Sequence, residues 1–237
     1  MNNMNDVILR RSWNQNLYDR ISNDTINSVL SDFIIPNSLT VDVGGNSGYQ
    51  TFWHSQYNEV RTYEPIPILL KIMKKNLEHK KLHNKVTLIN KAISDKIKKI
   101  DLFVDINRLS MTSQIPLVEN VNKMRVEATS LDKDINEKVG FIKIDVEGFE
   151  LEVLEGSREL IKKYHPHFMI EIYEPWCKKT GIKIEKYFNF FKENKYKGFY
   201  YSNVDKKLNK LTSISESVNA VLTKHHEHDG DFLFMRD

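Results

Sequence analysis

An open, doubly wound α/β sheet is predicted by three stretches of this 237-residue chain. In the first, the apolar, β-branched run Leu39-Thr-Val-Asp-Val43 enters the turn Gly44-Gly-Asn-Ser-Gly48 and continues into Tyr49-Gln-Thr-Phe-Trp-His54. That order reads as a buried strand, a tight turn and the opening of a helix. In the second, Glu59-Val-Arg-Thr-Tyr-Glu-Pro65 is a strand whose closing acid, Glu64, lies about 20 residues beyond the glycine turn, where doubly wound sheets bind ribose hydroxyls. The third stretch, Phe141-Ile-Lys-Ile144, has the composition of a mid-sheet strand and delivers Asp145 and Glu147 at its carboxyl end. His167-Phe-Met-Ile-Glu-Ile-Tyr173 brings a further acid, Glu171, towards the same edge.

The length suits one well-buried domain, taken as residues 37–237, with residues 1–36 as a short helical extension. A hydrophobic content of 40% and charged content of 28% are ordinary for a soluble globular protein. The net charge of +3 is too small to demand nucleic acid as a partner. The basic stretches Lys71–Lys85 and Lys96–Lys99 are read as solvated faces. The single cysteine, Cys177, excludes an internal disulfide, suits a reducing compartment and lacks zinc spacing. No apolar run approaches the ~18 residues of a membrane span, and the polar start is no signal peptide, so a cytoplasmic protein is expected.

In the extension, Asp24 can cap a helix over Thr25–Phe33 that Pro36 ends, while Trp13, Tyr18 and Arg10-Arg11 form either a substrate lid or packing. Pro65 and Pro67 start a helix striped by Ile68, Leu69, Ile72, Met73 and Leu77. Val86–Ile93 is read as one strand, with Ser94 and Asp95 after it as adenine-rim candidates or a plain turn, and Lys99–Val104 as a strand beside it. Residues 105–128 are polar and irregular, a connection long enough to be kept for a reason, from which Arg108, Ser110 and Ser113 could close over the site. Thr129-Ser-Leu-Asp132 caps a short helix, and Glu150–Ile161 is one amphipathic helix. The aromatics Tyr187, Phe188, Phe190 and Phe191 belong to a core helix over 184–194; Gly198–Val204 is a strand followed by a polar link. Ser213 and Glu216 have capping-box spacing for a helix over 214–227, before a closing strand at Phe232–Met235. His225, His226 and His228 match no standard zinc spacing, and no metal is expected there.

The glycine turn restricts the ligand. A dinucleotide fold uses G-x-G-x-x-G for its pyrophosphate, whereas here Asp42 precedes Gly44 and Gly48, with no phosphate-directed lysine. An acid in that place repels phosphate. It suits S-adenosylmethionine (SAM), which offers an ammonium group, a sulfonium and ribose hydroxyls.

Val41-Asp-Val-Gly-Gly-Asn-Ser-Gly48 and Ile142-Lys-Ile-Asp-Val-Glu-Gly-Phe-Glu150, with Val153-Leu-Glu-Gly156 after them, resemble the signature of FkbM-type methyltransferases. Tyr63-Glu-Pro65, Asn90–Asp95, Thr129–Asp132 and the Glu171 strand fall in comparable places, so the resemblance covers about residues 38–236. It implies a Rossmann-like class I methyltransferase fold with a seven-stranded mixed sheet, SAM as cofactor, and usually O-methylation of a sugar, glycan or polyketide-type hydroxyl. Carried onto this chain, Asp42, Gly44, Asn46 and Gly48 would hold the methionine part, with Gly45 in the same turn. Glu64 would hold the ribose, Ser94 and Asp95 the adenine side, and Asp145 and Glu147 would face the methyl and the acceptor. Gly45 stands where the family commonly has alanine, a change expected only to loosen the turn.

Methyl transfer from sulfonium is an in-line displacement in which the cofactor already carries the activated group, so the protein mainly positions the reactants. A sugar hydroxyl also needs a base, for which Asp145 is the first candidate, Glu147 the second and Glu171 the third. A divalent ion shared by these acids is one alternative; acids that only bind hydroxyls or cap a helix are another. The expected partner is a small-molecule or glycan acceptor such as a sugar-nucleotide. RNA 2′-O-methylation, suggested by the basic stretches, and a SAM-binding module without catalysis are the competing readings.

Overall fold

The computed structural model describes residues 29–79, 85–105, 109, 112–116, 121–202, 207–228 and 231–236. The features expected at Arg10, Arg11, Trp13, Tyr18 and Asp24 lie outside the described residues, as do Arg108 and Ser110. In chain order the strands are β1 (Leu39–Val43), β2 (Val60–Tyr63), β3 (Val86–Ile89), β4 (Ala92–Ile93), β5 (Lys98–Val104), β6 (Asn122–Thr129), β7 (Val139–Ile144), β8 (His167–Glu171), β9 (Lys197–Ser202), β10 (Lys207–Lys210) and β11 (Asp231–Met235). Eight of them form one sheet in the order β10-β9-β11-β8-β7-β1-β2-β3. The run β8-β7-β1-β2-β3 is parallel, and β11, β9 and β10 join antiparallel.

β1 and β7 are buried at every position because they are the middle strands of a sheet covered on both faces. One face packs Val41, Val43, Ile142, Ile144, Phe168 and Ile170 against helices over Glu150–Glu155, Arg158–Tyr164, Glu185–Glu193 and Ile214–His228. The other packs Phe141, Met169 and Leu233 against Phe33, Phe52, Trp53, Met73 and Leu77. In chain order the helices are α1 (Tyr49–His54), α2 (Pro67–His79), α3 (Leu131–Asp134), α4 (Glu150–Glu155), α5 (Arg158–Tyr164), α6 (Glu174–Thr180), α7 (Glu185–Glu193) and α8 (Ile214–His228). The aromatic stripe of α7 is core, with Phe191 stacked on Phe234 at 3.6 Å between ring centroids. Cys177 is buried packing.

Four expectations need correction. The sheet has eight strands and not seven: the polar link after β9 folds back as β10, pairing Leu208 with Tyr201 and Asn209 with Tyr200. Val86–Ile93 is not one strand, for it breaks at Asn90-Lys91, where the Asn90 side chain donates to the carbonyls of Glu64 (3.0 Å) and Pro65 (2.9 Å). β4 therefore leaves the main sheet and joins β5 and β6 in a second, three-stranded sheet of order β4-β6-β5. The tail of the supposedly irregular 105–128 connection is β6, antiparallel to β5 along its length, with Asp101 opposite Arg125 and its carboxylate 2.9 Å from the Lys123 ammonium on the diagonal. Finally, 150–161 is two helices. Gly156 lies against the Ser94 carbonyl, which a Cβ there would meet at 2.0 Å, and Asp132 caps α5 by accepting from the Leu160 amide at 2.8 Å.

The small sheet packs on the start of α2 through Ile66, Leu69, Ile72, Ile100, Leu102 and Ala128. It forms a wall beside the carboxyl ends of β1 and β2.

Candidate active site

A cleft of about 670 Å³, counting its part open to solvent, lies at the carboxyl ends of β1, β2 and β7. That is the edge where open α/β sheets bind ligands. Gly44, Asn46, Glu64, Asp145 and Glu147 form its polar side. Ile66, Leu69, Ile93, Ile100, Leu102 and Leu109 form an apolar side, part of it supplied by β5 of the second sheet.

The glycine turn is shaped by packing on both flanks. Gly44 has φ +82°, and a Cβ there would stand 1.9 Å from the Asp145 carbonyl oxygen. A Cβ at Gly45 would stand 2.2 Å from Thr62 Cγ2 and 2.9 Å from Met73 Cε, so glycine at this position fits a crowded contact and does not merely loosen the turn. Four of the turn's amides are engaged within the chain. Gly44 and Gly45 donate to the Tyr63 carbonyl at 3.0 and 3.2 Å, Gly48 donates to Gly45 at 2.8 Å, and Asn46 donates to Glu64 Oε2 at 2.9 Å. Donors committed in this way do not make a phosphate nest, in keeping with the acid-bearing turn.

Glu64 reaches the cleft with its second oxygen accepting from the Ile66 amide at 2.8 Å. Burial pushes its carboxyl up to about 7, against the pull of those two amides. Asp42 lies beneath the turn and does not line the cleft. It is fully buried; Oδ2 accepts from Thr51 at 2.5 Å, and Oδ1 stands 3.6 Å from Lys143 Nζ. The register sets Lys143 beside Asp42 across β1 and β7. Its ammonium also donates to the Gly44 carbonyl at 2.9 Å and pairs with Asp145 at 3.1 Å. Those two acids hold its pKa above the ordinary lysine value although burial opposes it.

Glu147 occupies the left-handed region with φ +57°, followed by Gly148 at +99°. Its carboxylate accepts from the Trp176 indole, and its carbonyl accepts from Ser113 Oγ at 2.6 Å. Burial first, and then the Asp145 charge, push Glu147 up to about 8. Glu171 is likewise raised well above the ordinary value by burial and by Asp145 and Glu147. One carboxylate oxygen from each of Asp145, Glu147 and Glu171 lies within 4.8 Å of the others. The structure thus brings together the three acids expected at the acceptor end, although Glu171 does not line the cleft.

Ser94 and Asp95 are placed elsewhere. Ser94 Oγ bonds Glu152, and Lys98 ties Glu152 at 2.7 Å to Asp95 at 3.0 Å, so the pair anchors α4 and stays off the cleft wall. Their neighbours Ala92 and Ile93 line it instead. Gly48 caps α1 with φ +93° and packs on Met73. Sequence reasoning missed Lys143, Glu150 and Trp176 as parts of the site. Lys143 was detectable in principle, because a lysine inside an otherwise apolar central strand needs a buried counter-charge.

The raised carboxyls predict how stability varies with pH. A carboxyl whose folded pKa exceeds its unfolded value of 4.5 contributes fully below about 4.5, and that contribution is lost as pH climbs through the folded value. The loss is progressive from about 4.5 and is complete near 7 for Glu64 and Glu150 and near 8 for Glu147. His54, held near 3 by burial, acts in the opposite direction but only below its unfolded 6.5. The ligand-free chain should therefore show a falling urea midpoint from pH 6.5 to 8.5; a flat or rising midpoint would show these carboxyls to be ordinary.

Among known proteins, the family described as Methyltransferase FkbM domain matches residues 42–201. No curated protein matches the sequence. The solved structure of a methyltransferase FkbM from Methylobacillus flagellatus is similar with a TM-score of 0.54 and 13% identity, over 98% of this chain and 58% of that one. The chain therefore spans less than two thirds of that protein's length. An rRNA methylase from Streptococcus thermophilus is similar at a TM-score of 0.50 and 13% identity, over 89% of this chain and 92% of its own. At such identities the likeness is one of fold. No helix among the described residues is long and apolar enough to cross a membrane.

Proposed function

The chain belongs to the FkbM methyltransferase domain family, and from that premise we propose that it is a SAM-dependent O-methyltransferase acting on a hydroxyl of a sugar, glycan or sugar-nucleotide. One observation carries the reading: a single cleft has a buried ribose-competent acid, Glu64, at one end and Asp145 with Glu147 at the other. The residues present fit SAM. The carboxylates of Glu64 and Asp145 match its hydroxyls and cationic groups, and the apolar wall from Ile93 to Leu109 matches a flat base.

When bound, SAM supplies the methyl group on a sulfonium. The chain's own residues do the rest. Glu64 keeps lone pairs for ribose hydroxyls beyond the two amides it already accepts from. Gly44 and Asn46 line the part of the cleft assigned to the methionine moiety. Asp145, paired with Lys143, anchors the acceptor. Glu147, with its raised carboxyl, is the base that takes the hydroxyl proton, because a base works best when its pKa lies near the working pH. Glu171 supports the same end of the site. The Lys143 ammonium, 3.1 Å from Asp145, offsets part of the negative charge at this end, and no metal is assigned.

Carboxylates at the acceptor end favour a hydroxyl on an uncharged sugar ring over an RNA 2′-hydroxyl, whose adjoining phosphodiester they would repel. The test is calorimetry with SAM, followed by mass-spectrometric screening of sugar, sugar-nucleotide and RNA acceptors with EDTA present throughout. Methyl gain on a saccharide is expected. Gain on RNA with binding that weakens steeply in salt would replace this reading, and SAM binding without transfer to any acceptor would leave a binding module. Glu64→Ala, checked for folding by circular dichroism, should weaken SAM binding by about 10- to 100-fold, the effect of losing hydrogen bonds to a charged group; wild-type affinity would remove Glu64 from the cofactor site.

A further inference from the structure

We infer that Glu150 is a positioning residue that holds the loop after β7 in the one conformation aiming the Glu147 carboxylate into the cleft. The inference rests on the assignment of Glu147 as the base. Glu147 sits in the left-handed region, which non-glycine residues rarely occupy and which persists only where the surroundings impose it. The imposition is visible in the contacts on either side. Glu150 Oε1 accepts from the Val146 amide at 3.2 Å and from the Gly148 amide at 2.9 Å, so one carboxylate oxygen spans the residue between them. Its other oxygen accepts from the Tyr187 hydroxyl at 3.3 Å, which ties the clamp to α7 in the core. Glu150 is itself buried at 3% exposure.

Two further contacts complete the enclosure. Ser113 holds the Glu147 carbonyl from the stretch that bridges to Phe103 of β5, and Trp176 of α6 holds its carboxylate. Gly148 leaves room for that indole, since a Cβ there would meet Trp176 Cβ at 3.2 Å. With Val146 and Gly148 fixed, the Glu147 side chain is directed at Trp176 and the cleft, where Asp145 faces it. Removing the clamp frees the loop to relax towards right-handed backbone and lets the carboxylate swing to water.

That change has a consequence for titration which a purely structural role lacks. The charged groups around Glu147 are Lys143 on β7 and Asp145 just after it, Glu171 at the end of β8 with Asp231 beside it on β11, and Glu150 on α4. Held among them and desolvated, Glu147 keeps its raised pKa of about 8. Released to water, it should titrate near the ordinary 4.5.

The experiment compares Glu150→Ala, Glu150→Asp and Glu150→Gln in the full chain. Carboxyl-carbon NMR follows the Glu147 titration without cofactor or acceptor, and steady-state kinetics are normalised to folded protein. Ala removes the acceptor oxygen and Asp withdraws it by one methylene. Both should lower the Glu147 pKa and reduce kcat by about 10- to 100-fold, the cost of ~1 Å misplacement, with KM for SAM changed by less than about threefold. Gln retains an acceptor oxygen and should restore the high Glu147 pKa and most of kcat. A wild-type Glu147 titration in Asp or Ala, or a Gln variant as impaired as Ala, overturns the clamp. Should Ala fail to fold, the Asp and Gln arms decide alone. Absence of methyl transfer by the wild type would defeat the assigned reaction, whereas the NMR titration would still decide the clamp.

Discussion

Lys143→Met should destabilise the fold by about 3–5 kcal/mol, the usual consequence of removing one member of a buried ion pair. The magnitude follows from what the ammonium leaves behind. Asp42 is wholly buried, and its Oδ1 has no hydrogen-bond partner among the described residues; its compensation on that side is the lysine 3.6 Å away. The Gly44 carbonyl and Asp145 lose a donor at the same time. The measurement is the urea midpoint, with Asp42→Asn and the double variant completing a cycle. If the pair is coupled as the distances indicate, the double variant recovers part of the loss. A Lys143→Met chain as stable as wild type would mean that the central strands tolerate Asp42 without it.

Glu147→Gln should leave SAM affinity unchanged and lower kcat by about 10²- to 10⁴-fold, the range for removal of a general base. The wild-type rate should also rise with pH and level off above about 8, as the buried Glu147 gives up its proton. The glutamine variant should show no such rise. Should Asp145→Asn instead abolish that rise while Glu147→Gln keeps it, the base is Asp145 and Glu147 serves only to bind the acceptor.

Much of this arrangement was legible in the residues because the central strands are simple objects. A strand buried on both faces is an apolar run; hence β1 is legible at both ends and β7 at its carboxyl end, its start lying at Val139 and not Phe141, and the acids after them fall on one edge. The second sheet was harder. Ala92-Ile93 is too short to announce itself, and the Asn90 side chain that breaks it from β3 acts through the carbonyls of Glu64 and Pro65, just past the end of β2. β6, by contrast, was there to be seen: Lys123-Met-Arg-Val-Glu-Ala128 alternates with a period of two, and its apolar members turn inward. Its three charged residues equal its three apolar ones, so composition alone does not mark a strand there. Ser94 and Asp95 show a different limit. Their place at a strand end was read correctly, but which way a side chain turns was decided by Lys98 and Glu152 from other elements.

The engagement of the glycine turn's amides by the chain's own carbonyls and by Glu64 bears on kinetics. A cradle already rigid before its guest arrives has little ordering left to do, so capture of SAM should resemble docking onto a finished surface. Association should then be a single fast phase whose rate grows in proportion to SAM concentration, with no slower isomerisation behind it.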